Sequence, residues 1–316
     1  MSSIVVTGGA GRLGRSLVEG LVDAGHRVIS YDRAVSNAPE LRGADQVAID
    51  LLDAQATTAA LRAQRASTVI HLAAIAVPFS APEDVIMRTN AALAVSVLGG
   101  AVAAGVPQIV AASSPTVLGY GAPRGWVPDR FPLDEDTPPA PWNSYALSKH
   151  LIEQTMRMLH RQTGDDVRFA AFRPCYVIAP EEWRGAPTQQ GHTVRDRLDD
   201  PSLSAPALFN YVDARDVASF ADALLAALPA IPNAETFFVG ADDALAREPL
   251  AELIPRFHPG TERAAAVLTG TTPAFSNAKA RRLLDWAPRH SWRTALVDAP
   301  SFPDTRDHDI RKDVPT

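Results

Sequence analysis

The chain has 316 residues, 46% of them hydrophobic and 21% charged, with a formal net charge of −6 and one cysteine. That length carries one large α/β domain or a large domain with a smaller companion, and the acidic balance offers no basic patch for nucleic acid or an anionic membrane. A single thiol, Cys175, excludes an internal disulfide and a thiolate zinc cluster, so the expected setting is a reducing cytoplasm and the expected partner a small molecule.

Ile4-Val5-Val6 is a β-branched run suited to a buried parallel strand. Gly8, Gly11 and Gly14 follow, then Leu13, Leu17, Val18, Leu21 and Val22 at helical spacing, then a second strand from Arg27 to Asp32. This order of strand, glycine turn, helix and strand brings a dinucleotide pyrophosphate against backbone amides at a helix N-terminus, where side chains on the turn would block it. Gly8 supplies the turn, Gly11 the close approach and Gly14 the helix-to-strand packing, while Asp32 is placed to accept both ribose hydroxyls. The three-residue spacing is looser than the commonest fingerprint and alone would suit an ordinary loop. Asp32 at the end of the second strand turns it into a cofactor site.

A polar loop containing Pro39 and Gly43 leads to a third strand, Gln46 to Asp50, and a helix from Ala54 to Arg65. The fourth strand, Thr68 to Ala74, opens onto small residues that let a flat cofactor lie against the backbone, and His71 within it reads as structural. A helix from Glu83 to Ala104 carries Asn90 toward the sheet, where it either ties down neighbouring backbone or touches the cofactor. The fifth strand, Gln108 to Ala112, ends at Ser113-Ser114, on the sheet edge where ligands bind. Residues 115–141 contain seven prolines and read as an irregular flap and candidate lid. A helix from Asn143 to about Gln162 places Tyr145 and Lys149 on one face.

The sixth strand, Val167 to Arg173, stops at Pro174, and residues 175–206 read as substrate-binding loops. Asp213 is a helix N-cap for Ala214 to Leu228, Glu235 to Val239 is a seventh strand, and helices at Leu250 to Phe257 and Asn277 to Leu284 complete a smaller C-terminal part. Residues 300–316 read as a flexible tail. The alternation predicts a doubly wound parallel α/β sheet: a dinucleotide-binding domain over 1–174 with returning segments near 207–240, and a substrate-binding region from 175–206 and 241–299. The N-terminus enters a strand at once, without an export signal, and no apolar run approaches 20 residues, so neither secretion nor a membrane span is expected.

Hydride transfer at a carbon bearing oxygen moves a proton on or off that oxygen. A phenol with a pKa of about 10 needs a nearby cation to serve as a base at neutral pH. Lys149, one helical turn beyond Tyr145, supplies that charge and reaches toward the cofactor ribose, and Ser114 can hold the same substrate oxygen against the phenol. Each signal alone is ordinary. In this order, downstream of the glycine turn, they form one acid/base set.

Thr7-Gly8-Gly9-Ala10-Gly11-Arg12-Leu13-Gly14, Asp32, Asp50-Leu51, His71 to Ala74, Asn90, Ser113-Ser114, Tyr145 to Lys149, Arg173-Pro174 and Tyr211 to Ala218 together resemble the extended short-chain dehydrogenase/reductase superfamily. Within it they resemble the NAD-dependent epimerase/dehydratase family, which includes UDP-glucose 4-epimerase. The resemblance implies a Rossmann-type fold in which Tyr145 is the general acid/base, Lys149 lowers its pKa and binds ribose, and Ser114 orients the reacting oxygen. It implies that Asp50 and Leu51 flank the adenine, that Leu72, Ala73 and Ala74 line the cofactor, and that the segment from Pro174 borders the nicotinamide. The expected cofactor set is completed by Gly8, Gly11, Arg12, Leu13, Gly14, Asp32, Arg33 and Asn90. Asp32 favours NAD, whereas Arg12 and Arg33 pairing with a 2′-phosphate would make it NADP. No metal is expected, and relatives often pair as homodimers through the helix of Asn90 and the helix of Tyr145.

Two positions depart from the pattern. Nucleotide-sugar epimerases usually carry an asparagine where this chain has Tyr176, whose ring either fills volume a diphosphate would occupy or packs against the flap. Dehydratases carry an acidic pair where this chain has Pro115-Thr116, which disfavours dehydration. Candidate substrate contacts are Ser114, Pro115, Tyr176, Arg184 and Arg215, with Arg195 and Arg197 as further anion contacts; solvated or salt-bridged side chains account for each arginine equally well. Cys175 reads as a small buried residue. The expected reaction is hydride transfer at a secondary alcohol or ketone of a sugar or nucleotide sugar, as in a 4-epimerase. The alternatives are a simple dehydrogenase or ketoreductase with exchangeable NAD(P), and a non-catalytic dinucleotide sensor.

Overall fold

The computed structural model describes residues 3–34, 41 and 43–296; Pro39 of the polar loop and the expected tail lie outside the described residues. In chain order the first half comprises β1 (Ser3–Thr7), α1 (Arg12–Asp23), β2 (Arg27–Asp32), β3 (Asp45–Ala48), α2 (Ala54–Ala63), β4 (Ala66–His71), α3 (Glu83–Ala104), β5 (Gln108–Ala112) and α4 (Ser144–Thr163). The second half comprises β6 (Arg168–Pro174), β7 (Tyr176–Ile178), α5 (Pro180–Trp183), α6 (Val194–Asp199), β8 (Tyr211–Asp213), α7 (Ala214–Ala227), β9 (Glu235–Val239), α8 (Leu250–Phe257), α9 (Glu262–Ala265), α10 (Ala278–Leu284) and α11 (Trp292–Ala295).

Seven strands form one sheet in the order β3-β2-β1-β4-β5-β6-β9, every neighbouring pair parallel. The order reverses between β1 and β4, which leaves a crevice beyond their carboxyl ends. Alternation along β1 shows why its residues are apolar in succession. Ile4 and Val6 face a core shared with Leu17, Val18 and Leu21 of α1 and Val217, Phe220 and Leu224 of α7, while Val5 faces the opposite core with Leu61 of α2, Val97 of α3 and Ile152 of α4. A strand covered on both faces loses about 1.5–3 kcal/mol for each such side chain left in water, so a polar residue at either register is selected against.

Residues 175–206 are more ordered than expected. They contain β7, α5 and α6, and β7 pairs in parallel with β8 through Tyr176↔Tyr211, Val177↔Val212 and Ile178↔Asp213. Ile178, Trp183, Val194 and Leu198 pack with Tyr211, Leu245 and Trp292 in a third apolar cluster. The proline-rich flap is likewise packed: Val117, Leu118, Phe131 and Leu133 are buried, and Leu133 exchanges backbone hydrogen bonds with Ala274 at 2.7 Å and Ser276 at 2.8 Å.

Helix α3 corrects the expectation of no membrane-length apolar run. By length and a mean hydropathy of 1.5 it is apolar enough to cross a bilayer, yet half of that window is buried inside the protein. It packs between α2 and α4, and its Asn90 is buried and hydrogen-bonded. Those contacts make it a core helix.

Candidate active site

A cleft of about 970 Å³ opens at the β1/β4 reversal, and all the sequence-predicted cofactor residues except Asn90 lie on its wall. The glycine turn is shaped by close backbone approach. A Cβ on Gly8, whose φ is +73°, would stand 2.8 Å from the Ala73 nitrogen, and one on Gly14 would stand 2.1 Å from the Gly8 carbonyl oxygen. Gly14 therefore guards the turn itself as well as the helix packing. Helix α1 begins at Gly11 with no acidic residue in its first turn, so its unpaired amides and positive dipole end face the cleft without a competing carboxylate. Asp32 and Asp50 line the far end, where Asp32 also accepts the Arg33 amide at 2.8 Å. Bare backbone, a free helix N-terminus and a carboxylate at ribose distance in sequence suit a dinucleotide.

Arg12 is committed elsewhere. Its guanidinium is paired with the Glu182 carboxylate through both Nε, at 2.7 Å, and Nη2, and it also donates to the Val177 carbonyl. Of the two cations expected to meet a 2′-phosphate, only Arg33 has no carboxylate partner among the described residues.

Tyr145, Ser114 and Lys149 converge at the carboxyl end of β5. Asn143 caps α4 by accepting the Ala146 amide at 2.9 Å, which starts the helix so that Tyr145 and Lys149 share one face. The Lys149 ammonium lies 5.9 Å from the Tyr145 ring centroid and donates to the Ala112 carbonyl at 3.0 Å. Burial pulls its pKa down to about 8. Burial pushes the Tyr145 phenol up to about 12, against the opposing pull of a Ser114 hydrogen bond. Ser114 Oγ accepts the Thr116 hydroxyl at 2.9 Å and the Thr116 amide at 3.3 Å, which leaves its own proton to be donated. Sequence names Thr116 only as a departure from the dehydratase pair; its role toward Ser114 is signalled by nothing more than its spacing two residues beyond it.

The serine pair divides its labour. Ser113 donates to Glu153 at 2.6 Å, and Glu153 is held by Arg173 Nε at 2.8 Å and Nη2 at 2.9 Å, a buried network on the helix that carries Tyr145 and Lys149. His71 is buried, shares a 2.8 Å hydrogen bond with Thr7, and is pulled down to about 3 by burial and by Lys149, so it stays neutral. The Cys175 thiol borders the cleft and is pushed well up by burial, which keeps it protonated and unreactive.

Four expected contacts prove otherwise. Asn90 accepts the Ile75 amide at 2.8 Å and donates to the Ile75 carbonyl and to Ser148 at 3.0 Å, so it pins the segment after β4 to α4 and does not reach the cleft. Arg184 is exposed and off the cleft wall. Arg215 is spent on Asp213, two bonds at 2.9 and 2.7 Å, because its place one residue into α7 folds it back on the cap. Arg195 donates to the Leu296 carbonyl. Pro115, Tyr176 and Arg197 do line the cleft, joined by Gln190 and Asn210, which carried no periodic or spacing signal.

The family model for the NAD dependent epimerase/dehydratase family matches residues 4–240. Among curated proteins, the chain is 33% identical over 163 residues to a UDP-glucose 4-epimerase of Azospirillum brasilense, covering 49% of this chain and 43% of that one. It is 32% identical over 201 residues to a 2-alkyl-3-oxoalkanoate reductase of Stenotrophomonas maltophilia, covering 62% and 57%. The chain thus spans about half the length of the curated relatives it matches. Among solved structures, a short-chain dehydrogenase/reductase superfamily protein from Agrobacterium tumefaciens with bound NAD superposes with a TM-score of 0.67 at 25% identity, over 94% of this chain and 95% of that one. A UDP-glucose 4-epimerase from Stenotrophomonas maltophila, bound to NAD and a formylated UDP-arabinopyranose, shares the fold with a TM-score of 0.70 at 21% identity, over 94% and 96%.

Proposed function

The chain belongs to the NAD-dependent epimerase/dehydratase family, and from that premise we propose that it is an enzyme that binds NAD across the β1/β4 crevice and oxidises or reduces a secondary alcohol or ketone of a sugar-like substrate. The observation that carries this reading is the meeting of Tyr145, Ser114 and Lys149 in the same cleft as the glycine turn. Gly8, Gly11, Gly14 and the α1 amides hold the pyrophosphate, Asp32 the adenosine ribose, Asp50 and Leu51 the adenine, and Leu72 to Ala74 with Pro174 the inner wall. NAD supplies the hydride acceptor or donor. Ser114, with its lone pairs taken by Thr116, donates its proton to the substrate oxygen and orients it. Tyr145, protonated at neutral pH with a pKa near 12, delivers a proton to a carbonyl oxygen during reduction. In the oxidative direction the pull toward phenolate comes from the Ser114 hydrogen bond; contrary to the expectation that Lys149 lowers the phenol, burial dominates and the ammonium, 5.9 Å from the ring centroid, does not bring it down.

A net dehydrogenase or reductase is the second reading, because Tyr176 on the cleft wall, stacked under Arg197 at 4.1 Å, narrows the space beside the reacting end. The exposed Val95, Leu147 and Met158 on α3 and α4 support a homodimer formed by packing these two helices against their copies. Tyr145→Phe tests the chemistry: turnover should fall by roughly 10²–10⁴-fold with NAD affinity retained, turnover equal to the parent would remove Tyr145 as the acid/base, and NAD binding with no turnover in the parent would leave a dinucleotide-binding sensor in its place. NAD retained through purification and released only on denaturation favours epimerisation, and freely exchanging NAD favours the dehydrogenase.

A further inference from the structure

Three polar atoms buried on one wall of the cleft have no hydrogen-bond partner among the described residues: Arg197 Nε, the Tyr176 hydroxyl and Asn210 Oδ1. A buried orphan of this kind costs on the order of 1–3 kcal/mol unless something else meets it, and three lining one surface require a common explanation. Arg197 is the decisive member. It is 2% exposed, it is held by a 2.7 Å bond from Nη1 to Gln190 and by stacking 4.1 Å over the Tyr176 ring, and no described carboxylate pairs with it. The nearby Glu182 is already taken by Arg12. A cation desolvated to this degree is normally paired, and burial accordingly pulls Arg197 down from its ordinary range.

We propose that Arg197, with Tyr176 and Asn210 beside it, is the recognition site for a carboxylate on the substrate, and that the substrate is a hydroxy or keto acid, sugar acids included, rather than a nucleotide diphosphate sugar. This deepens the hydride-transfer reading and rests on it. The choice of carboxylate follows from charge and shape. Gln190 occupies Nη1, which leaves the Nε edge of the guanidinium without a partner among the described residues, and one planar edge matches one carboxylate in a bidentate pair. Among the described cations lining the cleft, Arg12 is paired with Glu182 and Lys149 is held at Ala112 beside Tyr145, while Arg33 follows Asp32 at the far end, so Arg197 is the cation stacked on the Tyr176 wall. On that wall one guanidinium without a carboxylate partner balances one carboxylate and leaves most of a diphosphate unneutralised. The Tyr176 hydroxyl is a further donor to the anion, and Asn210 Oδ1 accepts from a substrate hydroxyl.

The test uses the NAD-loaded full chain. Turnover and thermal shift are measured with hexuronic acids and 3-hydroxy acids, with the methyl esters of the same acids, with the neutral hexoses and with UDP-hexoses. Acids should be preferred over their own esters by roughly 100-fold in kcat/KM, a comparison made on the parent protein that no misfolded variant can mimic. Arg197→Met should remove that preference by the same factor while NAD affinity, read by titration, stays unchanged, and Arg197→Lys should recover part of it. Esters or neutral hexoses used as well as the acids, UDP-hexoses preferred to them, or no acid stabilising the NAD-loaded protein would each overturn the proposal. Loss of NAD binding in the parent would instead strike the hydride-transfer reading.

Discussion

Replacing Arg173 with methionine strands the Glu153 carboxylate in the core. Glu153 is 1% exposed, and burial pushes its pKa up. The two Arg173 hydrogen bonds, the His150 and Ser113 contacts and the Arg173 charge together overcome that push and hold it down to about 2. A carboxyl whose folded pKa lies below its ordinary 4.5 contributes stability that is complete above pH 4.5 and is lost as pH falls through 2. At about 1.4 kcal/mol per pH unit the difference is worth about 3 kcal/mol, close to the roughly 3–5 kcal/mol that breaking a buried ion pair costs. In Arg173→Met only the Ser113 and His150 contacts still oppose burial, so the carboxyl rises, and the variant is penalised for keeping it ionised. Urea unfolding, followed by tryptophan fluorescence, should show a loss of about 3–5 kcal/mol at about pH 7 that shrinks toward pH 4.5 as Glu153 takes up a proton. A loss below about 1 kcal/mol, or one of equal size at both pH values, would refute the reasoning.

Gly14→Ala should leave the fold cooperative yet weaken NAD by roughly 100-fold or more in a calorimetric titration, because its Cβ would stand 2.1 Å from the Gly8 carbonyl oxygen and push the turn into the pyrophosphate position. Lys149→Met should abolish turnover while raising the melting temperature of the cofactor-free protein at pH 7. A lysine pulled from 10.5 down to about 8 costs stability while charged and regains it only as pH rises from 8 toward 10.5, and removing it returns about 2 kcal/mol after the lost Ala112 bond. A lower melting temperature would contradict this account. Val95→Glu on the exposed face of α3 should convert the proposed homodimer to monomer in sedimentation without altering NAD affinity.

What the sequence made legible is what short-range pattern encodes. The glycine turn, the Tyr145–Lys149 spacing and α3 each declare themselves within a few residues, and the parallel order of the sheet follows from alternating strands and helices. What it hid depends on partners far along the chain. Arg12 could not be assigned without Glu182, nor Asn90 without Ile75 and Ser148, because both choices are made by tertiary contact. Among four arginines, local sequence could not say that Arg215 would close on Asp213 while Arg197 would be buried with one edge unpaired. Helices as short as α5 and α6 leave too few residues for a period to register, so the region around them read as loop.

The pairing of β7 with β8 fastens the two ends of the intervening stretch, residues 179–210, at a single neck. Arg197, Gln190 and Asn210 sit beyond that neck, whereas Ser114, Tyr145, Lys149 and the glycine turn all sit outside it. On the proposed reading, ligand choice, Tyr176 of β7 excepted, and proton chemistry are thereby carried on separately replaceable parts, and an exchange of the excursion with that of a homologue, joined at Ile178 and Tyr211, would transplant preference for a different reactant onto an unaltered engine.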